Sequence, residues 1–167
     1  MEERSRFSLY VRNFIFGIED SLVSTVGLLS GIATSQVPHA TILLTGFIYV
    51  FVEAFSMAVG SFLSEDSAQE YVAGGEVSDR LPAVGSIIMF VSFVLAGFVP
   101  IVPYLIFVGV TALYTSISFS ILVLFILGFV NGKFSKVKPW RRAFRMAILG
   151  GLAIGIGVLV GKFFKIG

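Results

Sequence analysis

Cysteine is absent from this 167-residue chain, which excludes disulfides, thiolate metal sites and cysteine nucleophiles together. Histidine occurs once, at His39, and reads as an exposed loop residue rather than a ligand. Charge is scarce as well: 13% of residues are charged against 56% hydrophobic, and the mean hydropathy is +0.96. A soluble domain of this length would need far more polar surface, so the class is an all-α polytopic membrane protein. No nucleophile–base constellation, P-loop, HExxH or nucleic-acid patch is present. The expectation is neither an enzyme nor a nucleic-acid partner, with no bound cofactor.

What the chain does have is long apolar runs. A spanning helix needs about 20 such residues, and five stretches qualify: 14–33, 40–63, 83–103, 105–130 and 143–164. Together they form a single transmembrane domain over 1–167. Pro100 and Pro103 are expected to break the third run from the fourth in a tight turn. Residues 64–82 read as a short acidic loop, with Glu65, Asp66 and Glu70 as possible cation-capturing groups; its first half can also extend the second helix. No cleavable leader is apparent, and no organelle-sorting extension, which makes a prokaryotic inner membrane the expected host and a vacuolar or other organelle membrane the alternative.

Ten of the twelve basic residues fall on one side of a five-span layout, and only Lys162 and Lys165 fall opposite. The positive-inside rule then puts the N-terminus in the cytosol and the C-terminus outside or in a lumen. Trp140 stands beside the basic run from Lys133 to Arg145, where an interfacial anchor belongs. That run is explained by topology and by contact with anionic membrane lipid.

Small and polar residues form stripes on the first two spans. Asn13, Gly17, Asp20 or Ser21, Ser24, Gly27 and Gly31 share one face; Gly46, Tyr49, Glu53, Ser56 or Met57, Gly60 and Ser64 share another. Such faces turn toward helices or a cavity rather than lipid. Asp20 lies about 9 Å inside its span, Met57 about 9 Å inside the same end of the next, and Glu53 about 15 Å deep. Antiparallel neighbours would therefore set Asp20 and Met57 at one level, with Glu53 a turn deeper. In the later spans, Thr111, Thr115 and Ser118 read as a hydrogen-bonding face, and Gly151, Gly155, Gly157 and Gly161 as close-packing positions.

Carboxylates in hydrocarbon are rare and functional by default, at about 2.5–3.5 kcal/mol each. Glu19, Asp20 and Glu53 together would cost on the order of 8–10 kcal/mol unpaired. No Lys or Arg lies within the interior of any span to offset them, so the counter-charge is a proton or a mobile cation. A carboxyl that trades a proton for an arriving metal couples the two. Carboxylates alone suit Mg²⁺, Ca²⁺ or Mn²⁺, whereas a thioether shifts preference toward Fe²⁺. Met57 reads equally as that soft ligand or as core packing. Glu19 reads equally as a ligand or as a partner of Arg12, two turns away.

Gly17-Ile-Glu-Asp-Ser-Leu-Val-Ser-Thr25 resembles the first helix of the vacuolar iron transporter family, with its G-x-x-D-G-L-V-S-T pattern. Ser56-Met-Ala-Val-Gly-Ser-Phe-Leu-Ser64 resembles that family's second-helix S-M-x-x-G-x-[YF]-x-S, and Pro100-Ile-Val-Pro-Tyr104 is similar to the P-x-x-P-Y turn ending its third. The resemblance implies a five-helix homodimer that moves Fe²⁺, and sometimes Mn²⁺, out of the cytosol in exchange for protons. Its path would be lined by the first two helices of both subunits. Asp20 and Met57 match pathway positions of the family; Glu53 has no counterpart there and rests on its burial. Many members insert a long cytosolic metal-binding domain after the second helix, and this chain would be a short form without it. Where the family commonly has Asn-Asp-Gly, this chain has Glu19-Asp20-Ser21. The competing expectations are a proton-coupled exporter of organic cations and a membrane assembly protein that transports nothing.

Overall fold

A computed structural model describes residues 2–164, with side chains from Arg6 onward. The backbone is helical almost throughout, for a solvent reason. In hydrocarbon no water meets an unpaired N–H or C=O, and a helix satisfies both within itself. Five helices follow in order: α1 (Glu2–Thr34), α2 (His39–Ala73), α3 (Arg80–Ile106), α4 (Gly109–Phe134) and α5 (Pro139–Phe163). Each is long and apolar enough to cross a membrane. At 1.5 Å per residue, α3 to α5 run about 37–40 Å, whereas α1 and α2 reach about 50 Å. The longer pair must therefore protrude well beyond a 30 Å hydrocarbon core.

α1 is the hub. It packs against α3 and α5 most extensively and touches α2 and α4 as well; α2 leans on α3, and α4 on α5. Half of the α1 span is buried, against 22% of α2, α4 and α5, so the outer helices leave apolar faces for lipid. One core cluster joins Leu29, Ile42, Val50, Ile101, Tyr104 and Ala112, and a second joins Leu22, Ala96 and Leu124. Glycine sets the closest approach. A Cβ on Gly31 would stand 2.7 Å from the Gly157 carbonyl oxygen, so α1 and α5 meet backbone to backbone.

Several expectations need correction. The first half of 64–82 is not loop but the extension of the second helix that the spacing also allowed: α2 continues to Ala73 and stops at Gly74, whose left-handed φ of 71° lets its N–H reach the Glu70 carbonyl. Pro100 and Pro103 do not end α3, which runs on to Ile106. A spanning helix tolerates proline where its neighbours pack closely around it, and Pro100 and Pro103 are both buried, with Ser116 Oγ of α4 donating to the Pro100 carbonyl at 2.7 Å. The chain turns instead at Phe107-Val108, next to Gly109 with its φ of 62°. The buried polar face of α4 is Ser116 and Ser120, whereas Thr111 and Ser118 are exposed. On α5, Gly157 and Gly161 pack tightly on α1, but Gly151 and Gly155 face open space. His39 is half-buried at the start of α2, with its Nε2 2.8 Å from the Tyr104 carbonyl oxygen.

Candidate metal pathway

Rotation of α1 decides where its acids point. Ser21 is fully buried and donates from Oγ to the Phe93 carbonyl at 2.7 Å, which turns that face onto α3. Successive residues step by about 100° around a helix, so Glu19 and Asp20 leave the α3 contact in different directions. Asp20, half-buried, lies within electrostatic reach of Glu53 on α2. Val50 and Ala54, almost wholly buried, hold that part of α2 against its neighbours, and Glu53 lies beside them, half-buried. The two carboxylates thus share one neighbourhood.

Met57 completes the level. Arg12 Nη2 and Glu65 Oε2 are 3.0 Å apart and set the antiparallel register of α1 and α2. Eight residues along α1 from Arg12 is Asp20, and eight residues back along α2 from Glu65 is Met57. Counted from that contact, half-buried Met57 falls at the Asp20 level and Glu53 a turn deeper.

Tyr49 joins the site through the structure; spacing alone marks it only as a member of the α2 stripe. Its hydroxyl lies near Ser24, whose own Oγ donates to the Asp20 carbonyl at 2.6 Å, and within the fields of Asp20 and Glu53. The signal is present in the sequence, since Tyr49 stands one turn before Glu53 on the same face. Tyr49 and Ser24 also border a cleft of about 480 Å³ between α1 and α5, lined further by Gly27, Gly31, Gly157 and Gly161. The cleft leads away from the acids toward the His39 end of the bundle.

Glu19 belongs elsewhere. It feels Arg142 and Arg145 of α5 and lines a basic groove with them, so Arg12 is not its partner. Arg145 lies in the second turn of α5, near the end of the span. Glu65 is committed to Arg12 and accepts from Gln69 Nε2 at 3.1 Å; Asp66 is half-buried and Glu70 exposed. Among the described residues, no base pairs with Asp20 or Glu53, and no group of three or more His, Asp or Glu is arranged to hold a metal.

The VIT family profile matches residues 11–80 and 74–162. The chain belongs to the VIT family. It is 30% identical over 168 residues to "Vacuolar iron transporter homolog 4" of Arabidopsis thaliana, covering 91% of this chain and 82% of that relative. "Vacuolar iron transporter homolog 3" from the same plant is 27% identical over a similar extent, 91% of this chain and 82% of the relative. "Vacuolar iron transporter 1" of Arabidopsis thaliana is 33% identical over 73 residues, which is 43% of this chain and 29% of the relative. VIT family members are transporters rather than enzymes, and five apolar helices make this one an integral membrane protein.

Proposed function

We propose that this protein exports a divalent transition metal from the cytosol, Fe²⁺ first and Mn²⁺ second, in exchange for protons. The observation that supports the reading is that Asp20 and Glu53 lie within electrostatic reach of each other in an apolar bundle, with no base paired to either among the described residues. Two half-buried like charges near each other in hydrocarbon need a counter-charge. Protons and a divalent ion are alternative ways to supply it, and alternation between them is antiport. Met57, level with Asp20, adds a polarizable sulfur that favours Fe²⁺ over Mg²⁺ or Ca²⁺. The relatives' names, which specify iron, support the same substrate.

The N-terminus and the α4–α5 turn face the cytosol in this reading, and the metal leaves to the exterior or a lumen. Two carboxylates and one thioether are few ligands for a divalent ion, and a second copy would double them. Ser56, Gly60 and Ser64 on the same face of α2 are exposed, and a Cβ on Gly60 would meet nothing within 4 Å. A bare strip of small residues is what a close helix contact uses, which supports a homodimer joined along α2.

Flux into proteoliposomes tests the proposal. Fe²⁺ and Mn²⁺ uptake should accelerate when the lumen is acidic, and Asp20→Ala or Met57→Ala should slow it. Uptake that ignores both the gradient and the Asp20 variant would overturn the reading. Ethidium uptake with no metal uptake would replace it with an organic-cation exporter.

A further inference from the structure

The basic groove beside Glu19 has no part in that pathway. It is an open cavity of about 1210 Å³ lined by Lys136, Lys138, Arg141, Arg142 and Arg145, with Glu19 as its one carboxylate. Five cations against one anion leave a net charge of +4 in a concave site, and among the described residues no further acid lines it. The backbone adds to this field. α5 starts at Pro139 with no side-chain cap on its first N–H groups, so the positive end of its dipole opens beside the same residues.

The turn carrying Lys136 is built at some cost. Lys136 N–H bonds the Lys133 carbonyl at 3.2 Å and Val137 N–H bonds the Gly132 carbonyl at 3.1 Å, the pattern that closes a helix through a left-handed residue. Glycine is the residue that fits such a position without strain. Here it is Lys136, with φ 53°, and the residue lines the groove.

The groove is also amphipathic. Phe144, Ile148 and Leu149 form part of its wall, and all three are exposed along α5 on the way into the span. A ligand that matches both parts has an anionic head at the basic rim and a hydrocarbon tail along that wall. Trp140, 61% exposed and packed on Phe125 and Phe129, marks this rim as the depth of lipid headgroups. We infer that the groove formed by the α4–α5 turn, the start of α5 and Glu19 is a binding site for the phosphate headgroup of an anionic membrane phospholipid. The phosphate takes Arg142 and Arg145 in competition with the Glu19 carboxylate, as bidentate arginine recognition allows.

Native mass spectrometry of the full chain in neutral detergent tests this, with phosphatidylglycerol and phosphatidylcholine of identical acyl chains supplied together. Phosphatidylglycerol should be retained preferentially. Arg142→Gln/Arg145→Gln should cut its retention about thirtyfold, at about fivefold for each basic residue near an anionic surface. Glu19→Gln should raise retention severalfold, because the competing carboxylate is gone. If the double arginine variant fails to fold, Lys136→Gly/Lys138→Gln gives the same reading with the turn relaxed. Equal retention of the two lipids, or variants that bind as the wild type does, would overturn the inference. Displacement of phosphatidylglycerol by inorganic phosphate or glycerol 3-phosphate would also overturn it, since the groove would then serve a soluble anion.

Discussion

Arg12 Nη2 and Glu65 Oε2 stand 3.0 Å apart across 53 residues of sequence, and this contact aligns α1 with α2. Its value is geometric more than energetic. The Arg12 side chain is 63% exposed, and ion pairs of that kind contribute about 0–1 kcal/mol. A double-mutant cycle with Arg12→Ala and Glu65→Ala should therefore give a coupling below about 1 kcal/mol in detergent unfolding. Coupling well above that would mean that the pair is shielded, as by a second subunit.

Asp20 and Glu53 invite a trade between stability and function. Removing one of two neighbouring charges from an apolar bundle should stabilise the empty protein, by up to about 2 kcal/mol given what a central carboxylate costs. Asp20→Asn should accordingly raise the melting temperature without metal while lowering metal uptake roughly tenfold or more, since even outer ligand partners cost 10–100-fold. Thermal scans and flux on one preparation check both halves. An Asp20→Asn protein that transports normally would remove Asp20 from the path.

The glycines of α5 separate by position. Gly157 and Gly161 press on the Gly27 and Gly31 backbone, whereas a Cβ added at Gly151 or Gly155 would have nothing within 4 Å. Gly157→Ala should force α1 and α5 apart and cost about 1–3 kcal/mol, the usual penalty of overpacking. Gly151→Ala and Gly155→Ala should be neutral or slightly stabilising, as Ala is the better helix former. Melting temperatures of the three variants check this directly.

The sequence showed most clearly what depends on local chemistry, and least what depends on distant partners. The five spans follow from apolar length alone, and the α1 stripe from spacing, so Asn13, Gly17, Ser21, Gly27 and Gly31 are all buried as that face requires. The nearness of Asp20 to Glu53 follows from counting depth along two antiparallel neighbouring helices, which is local information. Glu19 was not readable: Arg142 and Arg145 lie more than 120 residues away, and only the packing of α5 on α1 brings them close. Pro100 misled because its local effect is to break a helix, whereas here it is buried against other helices, Ser116 of α4 among its contacts. The α4 face was misassigned for a related reason, as Ser116 and Thr115 differ by one step and only the neighbour reveals which is inward. Arg4 side-chain placement and Lys165, both used to orient the chain, lie outside the described residues.

Orientation is the remaining link between the pathway and its direction, and the lack of cysteine makes it simple to measure. Gly75 lies in the α2–α3 turn with open space around it, and Val108, 70% exposed, lies in the α3–α4 turn at the other end of the bundle. Single Gly75→Cys and Val108→Cys chains each carry one thiol, so an impermeant maleimide reports one site at a time. With the basic side cytosolic, intact cells should label Val108→Cys and spare Gly75→Cys until the membrane is opened. The reverse pattern would turn the bundle over, and the cleft beyond Tyr49 would then open to the cytosol. Asp20 and Met57 would in that case meet metal arriving from outside, and the protein would have to be an importer.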